Sequence, residues 1–292
     1  MKILILGGHG RLAAALARAW GNLHVISTMA RPELDVSDAA ALRALLAGRD
    51  YEVLVNGTGM TNVDRCETDR EEARMVNALA PGIMAADART KRARLVHFST
   101  DYVFDGEKSS PYFEDDAPNP LGWYGQTKLD GERAVLACDP AHMVVRISWV
   151  FGPDKPSFID GIIARARTNP RVEAITDKFS SPTFAGDVAG WLAPFFDPRL
   201  PGGIFHACNS GSCSWRAFGA FALRCASEAG LPLATTTVGS LRLADMKSFV
   251  APRPPFTALA TEKLARVTGV VPRPWQEAVR HYIRSRYGVV QK

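Results

Sequence analysis

The apolar positions of this chain alternate between short unbroken runs and helix-spaced patterns. Lys2-Ile3-Leu4-Ile5-Leu6 is a continuous apolar run, as expected of a parallel strand covered on both faces. Beyond it Leu12, Leu16, Ala19 and Trp20 recur at helical spacing. Further runs at His24–Ser27, Val53–Asn56, Leu95–Phe98, Val144–Gly152 and Gly203–Ala207 read as strands, and Leu34-Asp35-Val36 reads as another strand end. An Ala/Leu-rich stretch ending near Gly48 reads as a helix with Ser37 as its N-cap, a helix begins near Tyr124, and Trp215, Phe218, Ala222 and Leu223 mark an amphipathic one. This alternation predicts an α/β chain, a doubly wound parallel sheet with ligands at the carboxyl edge of its strands. From about residue 153 Pro-rich turns interrupt the alternation, which predicts a smaller substrate region. The expected division is 1–152, with 183–209 returning to it, against 153–182 and 210–292.

At 292 residues, 47% hydrophobic and 22% charged, the chain can bury a sizeable core. A net charge of +5 without Lys/Arg runs argues against a nucleic-acid face. No stretch approaches the ~18 consecutive apolar residues of a membrane span, and the amino terminus enters a strand directly, so a cytoplasmic protein is expected. The cysteines at 66, 138, 208, 213 and 225 show no metal-ligand spacing and read as buried thiols; no metal site is assigned.

Gly7-Gly8-His9-Gly10-Arg11-Leu12-Ala13 sits between the first strand and the first helix. Bare backbone at Gly7 and Gly10 lets a pyrophosphate approach, and the exposed N–H groups of the helix start, at Arg11 and Leu12, favour its charge. No Gly-Lys-Ser/Thr follows, which excludes a nucleoside triphosphate P-loop. The second strand ends not in Asp or Glu but in Ser27-Thr28-Met29-Ala30-Arg31. Hydroxyls and a guanidinium suit the 2′-phosphate of NADP, so Ser27 and Arg31 predict NADPH, with NADH as the alternative.

Residues 99–132 carry the chemistry. The strand ending in Ser99-Thr100-Asp101-Tyr102 is followed, after a Pro-rich loop, by Tyr124-Gly-Gln-Thr-Lys128. Residues four apart share a helix face. A phenol titrating near ~10 becomes a usable proton donor when a fixed ammonium lowers that value, and a nearby hydroxyl such as Thr100 can bind a carbonyl oxygen as charge develops.

Ser99-Thr100-Asp101-Tyr102-Val103-Phe104-Asp105-Gly106 with Tyr124-Gly-x-Thr-Lys128-Leu-x-Gly-Glu132 resembles the dTDP-4-dehydrorhamnose reductase family of the extended short-chain dehydrogenase/reductases. The similarity continues in Asn56, Thr61, Val63, Asp64 and Glu67, in Val76-Asn77-Ala78, in Arg146-x-Ser148-Trp149-Val150 and in Arg253-Pro254. It departs from the family at Gly57, Thr58, Gly59 and Cys66, where alanines are usual, and at Pro255-Phe256. The resemblance implies that Asp35 and Val36 meet the adenine, that Gly57, Thr58 and Gly59 line the nicotinamide side, and that Asn77 orders the active site. It further implies that Thr100, Tyr124 and Lys128 are catalytic, with Lys128 also holding the nicotinamide ribose, and that Thr61, Asp101, Tyr102, Trp149 and Arg253 meet the nucleotide-sugar substrate, Arg253 at its pyrophosphate.

The implied activity is NADPH-dependent reduction of the C4 ketone of a nucleotide-linked 6-deoxy-4-keto-hexose, dTDP-4-dehydro-L-rhamnose by resemblance. A different nucleotide sugar is the runner-up, suggested by the departures. A noncatalytic NADP-binding regulatory subunit, as in a relative that partners methionine adenosyltransferase, is the alternative from another class. A homodimer remains open, and with it a magnesium ion that some relatives place at a dimer contact.

Overall fold

The computed structural model describes residues 1–288; positions 289–292 of the expected 210–292 segment lie outside them. In chain order β1 (Lys2–Leu6), α1 (Arg11–Trp20), β2 (Val25–Met29), α2 (Ala39–Ala47) and β3 (Val53–Asn56) lead to the short α3 (Val63–Thr68) and α4 (Arg70–Arg74). Then come α5 (Ala80–Thr90), β4 (Arg94–Thr100), α6 (Trp123–Cys138), β5 (Met143–Ile147), β6 (Val150–Phe151), α7 (Phe158–Ala166), β7 (Glu173–Ile175), β8 (Phe179–Ser180) and β9 (Thr183–Phe184). The chain closes with α8 (Ala185–Leu192), β10 (Gly203–His206), β11 (Cys213–Ser214), α9 (Trp215–Glu228), β12 (Gly239–Leu241), β13 (Phe256–Thr257), α10 (Glu262–Thr268) and α11 (Trp275–Tyr287).

Six parallel strands form the main sheet in the order β10-β5-β4-β3-β1-β2. Side chains alternate across it, as the period of two requires. Ile3, Ile5, Val53, Val55, Val96, Phe98 and Val145 pack with Leu16 and Trp20 of α1 and Val188 and Leu192 of α8. Leu4, Leu6, Leu54, Leu95 and Val144 meet Leu42, Met84 and Val135 from α2, α5 and α6 on the other face. The strand order reverses between β1 and β3, and a crevice opens at their carboxyl ends, the general ligand position of such sheets.

A second core gathers Phe151, Ile159, Ile162, Phe184, Phe218, Leu223, Val238, Trp275, Tyr282 and Ile283, drawn from α7, α9, α11 and the short strands around them. It lies beyond the carboxyl end of β5, where the expected strand 144–152 is broken. β5 stops at Ile147, Trp149 takes a left-handed backbone (φ +50°), and Val150–Phe151 pairs instead with Thr183–Phe184.

Other expectations need correction. Residues 34–36 run from irregular chain into a turn and form no strand, so Val53–Asn56 is the third strand. Leu34 and Val36 are buried through packing and not through a ladder. The α2 N-cap is Asp38, which accepts from the Ala40 and Ala41 N–H groups at 2.9 Å each, whereas the Ser37 hydroxyl donates to Asp35. An Asp at that position brings a full charge to the helix amino terminus, and Ser37 is already engaged.

Candidate active site

The crevice begins where Gly7 ends β1. Its φ is +83°, and a Cβ there would stand 2.8 Å from the Gly57 carbonyl after β3, so only glycine lets the two loops touch. Gly10 then leads into α1, whose first N–H groups face the opening. A cavity of about 430 Å³ is lined by Gly7, His9, Gly10, Ala30, Arg31, Leu34, Val36, Gly57 to Met60, Arg65, Glu72, Val76 and Lys155. A second, of about 510 Å³, is lined by Gly10, Arg11, Leu12, Gly57 to Gly59, Thr61, Ser99 to Tyr102, Tyr124, Lys128, Trp149 and Lys155, among others. The cavities share the glycine-rich segments. A bare cradle at a helix amino terminus, with room on both sides, fits a dinucleotide.

β4 and α6 deliver the reactive side chains to the second cavity. Tyr124 is buried, and burial holds its phenol above the usual 10.0 while a hydrogen bond with Thr100 pulls the other way. Lys128 is buried too; desolvation pushes it down to about 8 against the raising charge of Glu132. Its Nζ donates to the Phe98 carbonyl at 2.6 Å. The expectation that Lys128 lowers the Tyr124 value is therefore not met: burial dominates, and the opposing contact comes from Thr100. The phenol stays protonated at neutral pH, which is the form a proton donor needs.

Asp101 is a buried junction. Its carboxylate accepts from the hydroxyls of Thr100 at 3.1 Å and Ser148 at 2.8 Å, from Ser180, and from Thr257. These donors come from β4, the break after β5, β8 and β13, so one anion ties the second region to the end of β4. Tyr102 lies edge-on to Tyr124, with ring centroids 5.7 Å apart, and Lys178 Nζ sits 4.8 Å from the Tyr102 ring centroid.

A family model described as RmlD substrate binding domain matches residues 1–287. The chain belongs to that family. It is 35% identical over 285 residues to a probable dTDP-4,6-dihydroxy-2-methyloxan-3-one 4-ketoreductase of Streptomyces antibioticus, covering 96% of this chain and 94% of the relative. It is 34% identical over 291 residues to the dTDP-4-dehydrorhamnose reductase of Mycolicibacterium smegmatis, covering 98% and 86%. Among solved structures, a dTDP-4-dehydrorhamnose reductase from Clostridium acetobutylicum superposes with a TM-score of 0.90 at 31% identity, covering 98% and 99%. Among the described residues no helix is long and apolar enough to cross a membrane.

Within this RmlD-family fold most of the residues singled out from sequence converge. Gly7, Gly10, Arg11, Leu12, Arg31, Val36, Gly57, Thr58, Gly59, Thr61, Thr100, Asp101, Tyr102, Tyr124, Lys128 and Trp149 line one or both cavities. Trp149 also packs on Phe158, Trp215 and Phe218, so its ring borders both the cavity and the second core. Four residues lie elsewhere. Ser27 is mid-strand, because β2 runs on to Met29, and it lines neither cavity. Asp35 is engaged by the Ser37 backbone and hydroxyl and by Arg31 outside the lining. Asn77 is fully buried in a single π-helical turn, Met75–Leu79, and bonds to Met60 and Thr127 instead of to the cavity. Arg253 pairs with Asp64 at 2.7 Å and with the Ala251 carbonyl. Lys155, which lines both cavities, is not legible from sequence, since it lies in an irregular loop without periodicity.

Proposed function

We propose that the chain reduces the C4 ketone of a dTDP-linked 6-deoxy-4-keto-hexose with NADPH, dTDP-4-dehydro-L-rhamnose being the first substrate to test. The observation that carries this reading is the meeting of Thr100, Tyr124 and Lys128 in a cavity that shares its glycine floor with a second one. The relatives named as dTDP-sugar reductases support the substrate class. Segments 1–152 and 183–209 would hold the cofactor, and 153–182 and 210–288 would enclose the sugar.

NADPH, when bound, supplies the hydride that C4 accepts. The Tyr124 hydroxyl gives its proton to the C4 oxygen, and Thr100 turns its single hydroxyl proton from Asp101 to that oxygen as negative charge grows there. Lys128, cationic at neutral pH and fixed on the Phe98 carbonyl, places positive charge beside the site. Arg31 at the adenosine end favours the 2′-phosphate of NADPH over NADH. The buried Asp101 fixes the Thr100 side chain at the cavity wall and keeps Ser148, Ser180 and Thr257 as donors when that proton turns, and Tyr102 and Trp149 supply flat apolar surface for the sugar ring.

A different dTDP-sugar is a specific second reading, because the Streptomyces relative is named for another ketosugar and Gly57, Thr58 and Gly59 change the residues that line the wall beside the cofactor. The test is NADPH oxidation with dTDP-4-dehydro-L-rhamnose beside other dTDP-, UDP- and GDP-linked 4-keto sugars, repeated with Tyr124→Phe. Turnover lost by about 10²-fold or more, with NADPH binding retained, supports the assignment; wild-type turnover in the variant would sink it.

A further inference from the structure

Among the described residues, only Gly10, Gly57, Thr58, Gly59 and Lys155 line both cavities. The first four form a floor of backbone and small side chains. Lys155 is the one charged side chain common to both among the described residues. It arrives from the opposite wall, on the loop Gly152–Pro156 that follows β6.

That loop is held in place by the first helix. Arg11 opens α1, and its guanidinium donates to the carbonyls of Val150 at 2.8 Å, Lys155 at 2.9 Å and Pro156 at 2.7 Å. Arg18, two turns along, forms a bidentate pair with Asp154, both contacts 2.8 Å. Asp154 itself adopts a left-handed backbone, φ +79°, which non-glycine residues take up only under constraint. Two arginines thus carry the loop over the amino terminus of their own helix. Arg11 lines the second cavity, yet its donors are occupied by carbonyls. The Lys155 side chain has no ion pair and no hydrogen-bond partner among the described residues, and it is exposed.

We propose that Lys155 binds the diphosphate of the dinucleotide and that Arg11 and Arg18 are positioning residues for it. This rests on the proposed reading that one dinucleotide spans both cavities. Its adenosine end lies by Arg31, Leu34 and Val36 and its nicotinamide end by Thr100, Tyr124 and Lys128, so the diphosphate joining them crosses the shared segment. The helix amino terminus and the glycine backbone meet that diphosphate from below. Lys155 meets it from above with a full positive charge, which is screened by salt because the site is open to solvent.

The test needs no sugar substrate. Full-length protein is titrated calorimetrically with NADPH, NADH and adenosine 2′-monophosphate, which carries the 2′-phosphate but no diphosphate. Lys155→Ala is expected to weaken NADPH and NADH alike by about tenfold at low salt, and less at high salt. Adenosine 2′-monophosphate should bind as to the wild type, and Lys155→Arg should restore both dinucleotides. Arg18→Met should reproduce part of the loss, and adding it to Lys155→Ala should cost little more. Unchanged dinucleotide affinity in Lys155→Ala would overturn the proposal. A loss confined to NADPH and adenosine 2′-monophosphate would overturn it too, by assigning Lys155 to the 2′-phosphate. If the wild type bound neither dinucleotide, the reading beneath the proposal would fall first.

Discussion

Asn77 satisfies both backbone groups of Met60: its Oδ1 accepts from the Met60 N–H at 2.9 Å, and its Nδ2 donates to the Met60 carbonyl at 3.1 Å. The side chain copies a strand partner for a loop that has none. The π-turn presents it, and Gly131 of α6 permits the close packing, since a Cβ there would lie 2.2 Å from the Asn77 carbonyl. Asn77→Ala leaves the Met60 N–H buried and unpaired, at a cost of roughly 1–3 kcal/mol, and leaves its carbonyl only the weak Cys66 thiol donor at 3.4 Å. We expect a melting temperature several degrees lower and weaker NADPH binding, because Gly57 to Met60 line the first cavity. An unchanged melting curve in thermal denaturation would refute the role.

Thr100 touches both Tyr124 and Asp101. Thr100→Val keeps the shape and removes the hydroxyl. Turnover should fall by about 10²-fold, the usual scale for one donor at a developing oxyanion, with NADPH affinity preserved. Single-turnover kinetics after premixing with cofactor separate the two; a variant that lost only cofactor binding would contradict the assignment of Thr100 to the reacting oxygen.

Glu132 and Arg146 form a bidentate pair at 2.9 and 2.7 Å with almost no solvent exposure. Breaking such a pair leaves an uncompensated buried charge. Glu132→Gln should cost about 3–5 kcal/mol, whereas replacing both residues with apolar ones of similar volume should restore most of that stability. Urea denaturation of the single and double variants checks the difference, and equal stabilities would show that the charges are not isolated from water.

Lys178 is buried, donates to the Pro254 carbonyl at 2.6 Å, and is pushed down to about 8 by desolvation. Its folded value lies below the ordinary 10.5. Below about pH 8 the ammonium is charged in both states, and only the folded state bears the cost of burying that charge. Between about 8 and 10.5 the folded state releases the proton first and the cost fades. Lys178→Met should therefore look most favourable, relative to wild type, below pH 8 and lose that advantage as pH rises through this window. Urea midpoints of both proteins at about pH 7 and pH 10 provide the check; a difference independent of pH would show that Lys178 titrates normally.

The parts legible in the sequence were those governed by periodicity or by a local steric demand. Ile3 to Leu6 and Leu95 to Phe98 read as buried parallel strands; Gly7 and Gly10 read as bare backbone for a pyrophosphate, and the structure adds that Gly7 must be bare for the Gly57 carbonyl as well. Tyr124 and Lys128 reach the same cavity because a helix fixes the spacing of residues four apart. The failures share a different cause. Leu34 and Val36 look like strand residues because they are buried, but burial by packing leaves the same apolar signature as a ladder. Trp149 breaks a run that composition alone makes continuous. The extra residue of the π-turn at Asn77 has no pattern of its own, and the direction of the Tyr124 shift depends on how far water is excluded, which spacing does not report. Arg253 and Asp35 carry the expected side chains, but neighbouring Asp64 and Ser37 engage them, and such pairings arise only in three dimensions.

The backbone turn at Trp149 sends the chain out of one hydrophobic core and into another, and the crossing is repeated. Phe151 to Phe184 lie in the second core, Val188 to Ala207 return to the main sheet, Cys213 to Val238 leave again, Leu264 comes back, and Trp275 to Ile283 finish outside. No single cut therefore separates the two cores into contiguous pieces. The main core waits for Leu264 and the second for Trp275 to Ile283, so both are completed late in synthesis, and a nick in any connecting segment leaves both halves interleaved. Loss of one core on heating should carry the other with it, so the molecule is built to melt as one cooperative unit despite having two interiors.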